Sequence, residues 1–238
     1  MHHARVLDMP PQVAARIAGF LYLLVIAGGL FAQVFVRERL IVAGDAAATA
    51  DNLLQHANLY RWGFGIHLAY LLCAIVLAVI LYDMLRRVSA GLALLALCFD
   101  MAAITVEGIH LLHHLAPLLL LTDGGLAGME PSQLQAMAYA RARLFAFGFG
   151  ISLVFFGAFC IVAGVLIYRS HFLPRTLGVM MVIAGICYLI NSFALFLAPA
   201  LASLLFPYIL MPCLLAELSL AVWLLVKGID VAGLDAVA

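Results

Sequence analysis

Asp100, Glu107, His110 and His114 all fall inside one long apolar run, residues 90–121. At about 100° per residue these four fall within about 80° of one another on a helix, whereas His113 points elsewhere. Glu107-x-x-His110 sets a carboxylate and an imidazole on one face, as metal sites between bundle helices require, and His110-x-x-x-His114 does the same for two imidazoles. His67, from a neighbouring run, would supply a further ligand. Imidazole suits zinc, iron, copper and haem alike, so the expected cofactor is a transition-metal ion or haem, with ligand type leaving the choice open.

Other readings compete with this one. The histidines also fit a polar bundle end in which they hydrogen-bond to Glu107, to loop carbonyls or to water. An acid at the middle of a spanning helix costs about 2.5–3.5 kcal/mol on insertion scales, so Asp100 and Glu217 each need a partner or a water-filled cavity. That requirement fits a small-molecule or lipid permease whose buried acids handle protons. A non-catalytic membrane scaffold is the remaining alternative. No P-loop, GxSxG, dinucleotide-binding glycine fingerprint or HExxH is present. The residue types of a histidine-rich membrane hydrolase exist here, but in an order that matches no such family, and whether the chain is an enzyme stays open.

The elements that must position these groups follow from composition. The chain has 238 residues, 67% hydrophobic and 10% charged, with mean hydropathy +1.19. Soluble domains run near roughly 45–50% apolar and 25% charged, so this is a membrane composition. Twelve basic and twelve acidic side chains balance, without a basic patch or tail. Nucleic acid is therefore not an expected partner; the lipid bilayer and a small-molecule or lipid ligand are. Cys73, Cys98, Cys160, Cys187 and Cys213 each sit singly in apolar runs and read as core residues. Residues 1–11 and the apolar run after them do not read as a cleavable signal.

Six runs are long enough to span, at about 13–36, 62–85, 90–121, 144–168, 174–197 and 204–226. The expected fold is all-α: a single domain, 1–238, of six transmembrane helices with short amphipathic helices on the outer face. Asp45 after Gly44 is an N-cap for one of these, over the AAATADNLLQ stretch. Glu130-Pro131-Ser132 opens a second, which runs on into the fourth span. Pro117 is the natural place for a kink in the third span. Gly150, Gly157 and Gly164, then Gly178 and Gly185, recur every seven residues and predict close helix packing. The tail after Lys227 reads as too short to fold. With a rise of about 1.5 Å per residue, His67, Glu107, His110, His114 and Asn191 reach comparable depths near the outer mouth. Arg5, Arg16, Arg86, Arg87, Arg169, Arg175 and Lys227 would share one face, and Arg37, Arg39, Arg61, Arg141 and Arg143 the other. This bias puts both termini in the cytoplasm of a bacterial inner membrane.

Several stretches resemble a family of bacterial membrane proteins known as domain of unknown function 4386. They are residues 15–56 (ARIAGFLYLLVIAGGLFAQVFVRERLIVAGDAAATADNLLQH), the LYDMLRRV end of the second span, and 153–181 (LVFFGAFCIVAGVLIYRSHFLPRTLGVMM). ICYLINSFALFLAP (186–199) and AELSLAVWLLVKGID (216–230) complete the set. The resemblance implies a polytopic inner-membrane protein and supplies no activity. The histidines of EGIHLLHH depart from the pattern expected of that family.

Overall fold

The computed structural model describes residues 9–122 and 128–235. Among the described residues, six helices are long and apolar enough to cross a membrane. Five are α1 (Pro11–Leu40), α3 (Ala57–Leu85), α4 (Ala90–Thr122), α5 (Pro131–Arg169) and α6 (Arg175–Leu197). The sixth is α8 (Met211–Val226) with the single 3-10 turn that precedes it, Tyr208–Leu210. Shorter helices are α2 (Ala46–Gln55), α7 (Pro199–Leu205) and α9 (Val231–Asp235). The described residues contain no strand, so every long segment satisfies its backbone internally, as a bilayer demands.

As expected, the 39 residues of α5 carry the predicted amphipathic helix into the fourth span without a break. The 33 residues of α4 continue through Pro117; the ring withholds only the N–H that would bond the His113 carbonyl. The last turns of α1, Phe31–Arg37, are wound as a π-helix, a feature the sequence pattern does not announce.

Large apolar side chains face outward and polar ones inward. Leu72, Leu112 and Leu197 are 67%, 70% and 80% exposed, whereas His67, Asp100, His114, Ser192 and Glu217 are all buried. In water this would expose apolar area without compensation; in lipid tails it costs nothing.

The chain divides into two compact units. Unit 1 comprises Met1–Ile26, Leu72–Ile104 and Gly150–Ala238. Its core runs through Ala15, Ala18, Ile80, Leu166, Met181, Ala184, Leu220 and Leu224. The seven-residue glycine ladder does what its spacing predicts. A Cβ on Gly157 would strike the Gly185 carbonyl oxygen, and one on Gly164 would strike that of Gly178, so α5 and α6 touch backbone to backbone. Contrary to expectation, residues 228–235 fold back onto the bundle, ending in α9. Gln12 clasps the start of this segment on either side of Gly228, donating from Nε2 to the Lys227 carbonyl (2.8 Å) and accepting from the Ile229 N–H (3.0 Å). Buried Ile229 and Leu234 then anchor α9. A brief segment holds here because it borrows an existing core.

Unit 2 comprises Ala27–Leu71 and Thr105–Phe149. Its core is Val36, Leu40, Leu53, Tyr60 and Leu118. Asp45 caps α2 as predicted, its Oδ1 accepting from Ala48 N–H at 2.9 Å. Gly44 takes φ +81° to make that entry, a conformation open to glycine at little cost, and its N–H donates to the Tyr139 hydroxyl of α5 at 2.7 Å.

Candidate functional site

The polar centre of unit 2 is built on α3 and α4. His67 Nε2 lies 2.7 Å from Glu107 Oε1. Tyr70, one turn after His67, donates its hydroxyl to the same carboxylate oxygen and also meets His67 Nε2. Three ionisable groups thus converge on one point, with the His67 ring only 3% exposed. Gly28 of α1 makes room for them, since a Cβ there would lie 3.0 Å from the Tyr70 side chain. The other ring nitrogen of His67, Nδ1, is buried without a hydrogen-bond partner.

His114 is committed differently. Its Nε2 donates to the Tyr60 carbonyl at 3.2 Å, and its ring stacks on that of Tyr60 with centroids 4.2 Å apart. Both His67 and His114 set their rings edge-on to Phe145, at 5.8 and 5.5 Å. The His110 ring fills the space that a Cβ on Gly148 would need. Its Nδ1 is buried without a partner, and the ring tilts against His113 at 5.6 Å.

Of the four expected ligands, then, the fold brings His67 and Glu107 together and turns His110 and His114 to other neighbours. Among the described residues no three His, Cys, Asp or Glu side chains gather so as to hold a metal ion. The reason is angular: Glu107 and His110 are about 60° apart around α4, enough to aim one at α3 and the other at α5. Asn191, the fifth member of the predicted cluster, belongs to unit 1 and is half-buried.

Unit 1 holds its own buried acids. The Tyr188 hydroxyl of α6 donates to Glu217 Oε1 of α8. Glu217 thus has the partner that its place within a span requires, supplied by another helix. The Tyr22 hydroxyl also faces that carboxylate, short of a well-formed hydrogen bond. Asp100 is 6% exposed and within electrostatic reach of Tyr22 and Cys160. All five cysteines are free thiols, with Cys160 and Cys213 fully buried.

Reasoning from sequence missed the phenols Tyr22, Tyr60, Tyr70 and Tyr188, and the inward course of Arg37. For Tyr70 a signal exists: it lies three residues after His67, the spacing that puts two side chains on one helix face.

Together these features define a polytopic α-helical membrane protein with buried or half-buried carboxylates, each held by a tyrosine hydroxyl or, for Asp100, close to one. The family model described as domain of unknown function (DUF4386) matches residues 17–228, and the chain belongs to that family. Neither a curated protein nor a solved structure matches it.

Proposed function

We propose that this chain is a small-molecule or lipid permease of the bacterial inner membrane in which Glu107 takes up and releases a proton. The observation that carries this reading is the shared point at Glu107 Oε1, where the Tyr70 hydroxyl and His67 Nε2 both meet the carboxylate. A proton placed on Oε1 or on Nε2 moves only across the 2.7 Å between them. A buried carboxylate alone would be costly in either a bilayer or a protein interior. With His67 it forms an ion pair or a neutral pair that differ by one short proton transfer, and Tyr70 donates to the carboxylate in both. Glu217 with Tyr188 repeats the carboxylate–phenol pair in unit 1.

The geometry gives less support to a metal ion or haem. Glu107 and His67 direct their facing atoms at each other, His114 donates to a carbonyl, and among the described residues no third His, Cys, Asp or Glu joins them. The basic stops at Arg86, Arg87, Arg169 and Arg175 support cytoplasmic termini.

Infrared difference spectra of the reconstituted protein, recorded between acidic and neutral buffer, test the central claim. A carboxyl C=O band should appear on acidification and be missing from Glu107→Gln protein of unchanged melting temperature. An identical difference spectrum in that variant would overturn the reading and leave Glu107 a structural group in a scaffold.

A further inference from the structure

The end of α1 carries a cation that the proton-handling site does not use. Arg37 closes the π-helical segment Phe31–Arg37, a winding that recurs at functional sites because it redirects side chains. Its guanidinium carbon sits 4.7 Å from the centre of the Phe145 ring, and Phe145 is 3% exposed. The head group therefore lies half-buried against the protein rather than extending fully into water. Its Nε is sealed from solvent and has no hydrogen-bond partner. One terminal nitrogen makes a long contact, 3.4 Å, to Gln33 Oε1. Among the described residues no carboxylate pairs with Arg37 at ion-pair distance, and Glu38 acts on it only electrostatically. Glu38, next in sequence, accepts instead from Gln33 Nε2 at 3.2 Å.

Arginine stays charged in proteins. Half-buried against an aromatic ring and with no carboxylate at ion-pair distance, the guanidinium keeps N–H donors that a facing anion would fill. The surroundings suit one. His67 and His114 share the Phe145 ring with Arg37, and the phenols of Tyr60 and Tyr70 are within electrostatic reach of the guanidinium. We propose that Arg37, seated on Phe145 beside His67 and His114, anchors a binding site in unit 2 for an oxyanion, the carboxylate or phosphate group of a lipid or of a small acid. The planar fork of arginine matches both groups through paired N–H donors. This names the ligand chemistry of the permease reading and rests on it only for movement of the ligand. Binding is measured without proton exchange, and the infrared test above without ligand, so each can fail alone.

The test is the melting temperature of purified protein in nanodiscs of phosphatidylcholine. One arm adds phosphatidylglycerol to the bilayer; the other adds inorganic phosphate or benzoate to the buffer. A saturable rise in the first arm assigns the site to a lipid headgroup, and a rise in the second assigns it to a soluble acid. Arg37→Met and Arg37→Gln should lose the rise. Ligand-free Arg37→Met should melt no lower than the wild-type chain, because the substitution removes an unpaired charge. Phe145→Leu keeps the cation but removes the ring face, and should weaken binding by about two- to fivefold. No rise with any of the three oxyanions, or an equal rise in wild type and Arg37→Met, would overturn the proposal.

Discussion

Tyr70 joins two groups that reach it by different routes, His67 through its own helix and Glu107 across to α4. Removing its hydroxyl leaves Glu107 with His67 still in place, so Tyr70→Phe should cost the low end of the about 1–3 kcal/mol expected when a buried acceptor loses a donor. Tyr188→Phe should cost more, because Glu217 is 7% exposed and has, among the described residues, no imidazole beside it to take the place of the Tyr188 hydroxyl. Unfolding in mixed micelles would rank the two; a larger loss for Tyr70→Phe would mean that His67 does not support Glu107. A double-mutant cycle of Tyr70→Phe with Glu107→Gln should show coupling of about 0.5–3 kcal/mol, as hydrogen-bonded neighbours do. The acid and the imidazole of this centre were legible in the sequence by type and by depth. The phenols were not, because a tyrosine in an apolar run scores as core until its hydroxyl is seen to have a target. Nor was the divergence of His110 and His114, which depends on what α3 and α5 present at each angle around α4.

At the scale of the helix, the glycine ladder makes a sharp contrast with glycines that touch nothing. A Cβ on Gly164 would lie 2.7 Å from the Gly178 carbonyl oxygen and 2.8 Å from the Val182 nitrogen, both fixed backbone. Gly164→Ala should therefore destabilise by about 1–3 kcal/mol, as overpacking does. Gly29 has nothing within 4 Å of that position, and Gly29→Ala should be neutral or gain up to about 1 kcal/mol from helix propensity. Thermal melts of the two variants in one detergent check this; equal losses would show that the close approach of α5 and α6 does not carry stability. Gly148→Ala is a different case, since its Cβ would meet the His110 ring rather than backbone. This packing was legible because seven-residue spacing returns to nearly the same helix face. The six spans and the Asp45 cap were legible for similar reasons of period and side-chain chemistry. The π-helical end of α1 and the docking of α9 were not. The first needs the demands of neighbouring side chains, and the second a clasp by Gln12 from the far end of the chain.

For the whole molecule, outward Leu72, Leu112 and Leu197 around buried acids and histidines make a bilayer the matching solvent. Six crossings return the chain to its starting side, so one orientation fixes every connection. Basic residues counted from the sequence divided seven to five between the two sides. Arg37 leaves that count once its guanidinium is seen packed on Phe145, because a residue turned into the protein does not act as an interfacial anchor. The division becomes seven to four, and the larger share flanks the short connections at 86–89 and 169–175, where the positive-inside bias acts most strongly. Paired reporter fusions in a bacterial host test the orientation, one reporter active only outside the inner membrane and the other only within. Fusions after Ser89, Pro174 and Lys227 should report the cytoplasm, and fusions after Gly44 and Glu130 the outside. The reverse pattern would place the α2 end of unit 2 in the cytoplasm. Glu107 and Arg37 would then face the cytoplasmic pool of protons and acids, and the direction of any coupled movement would be inverted.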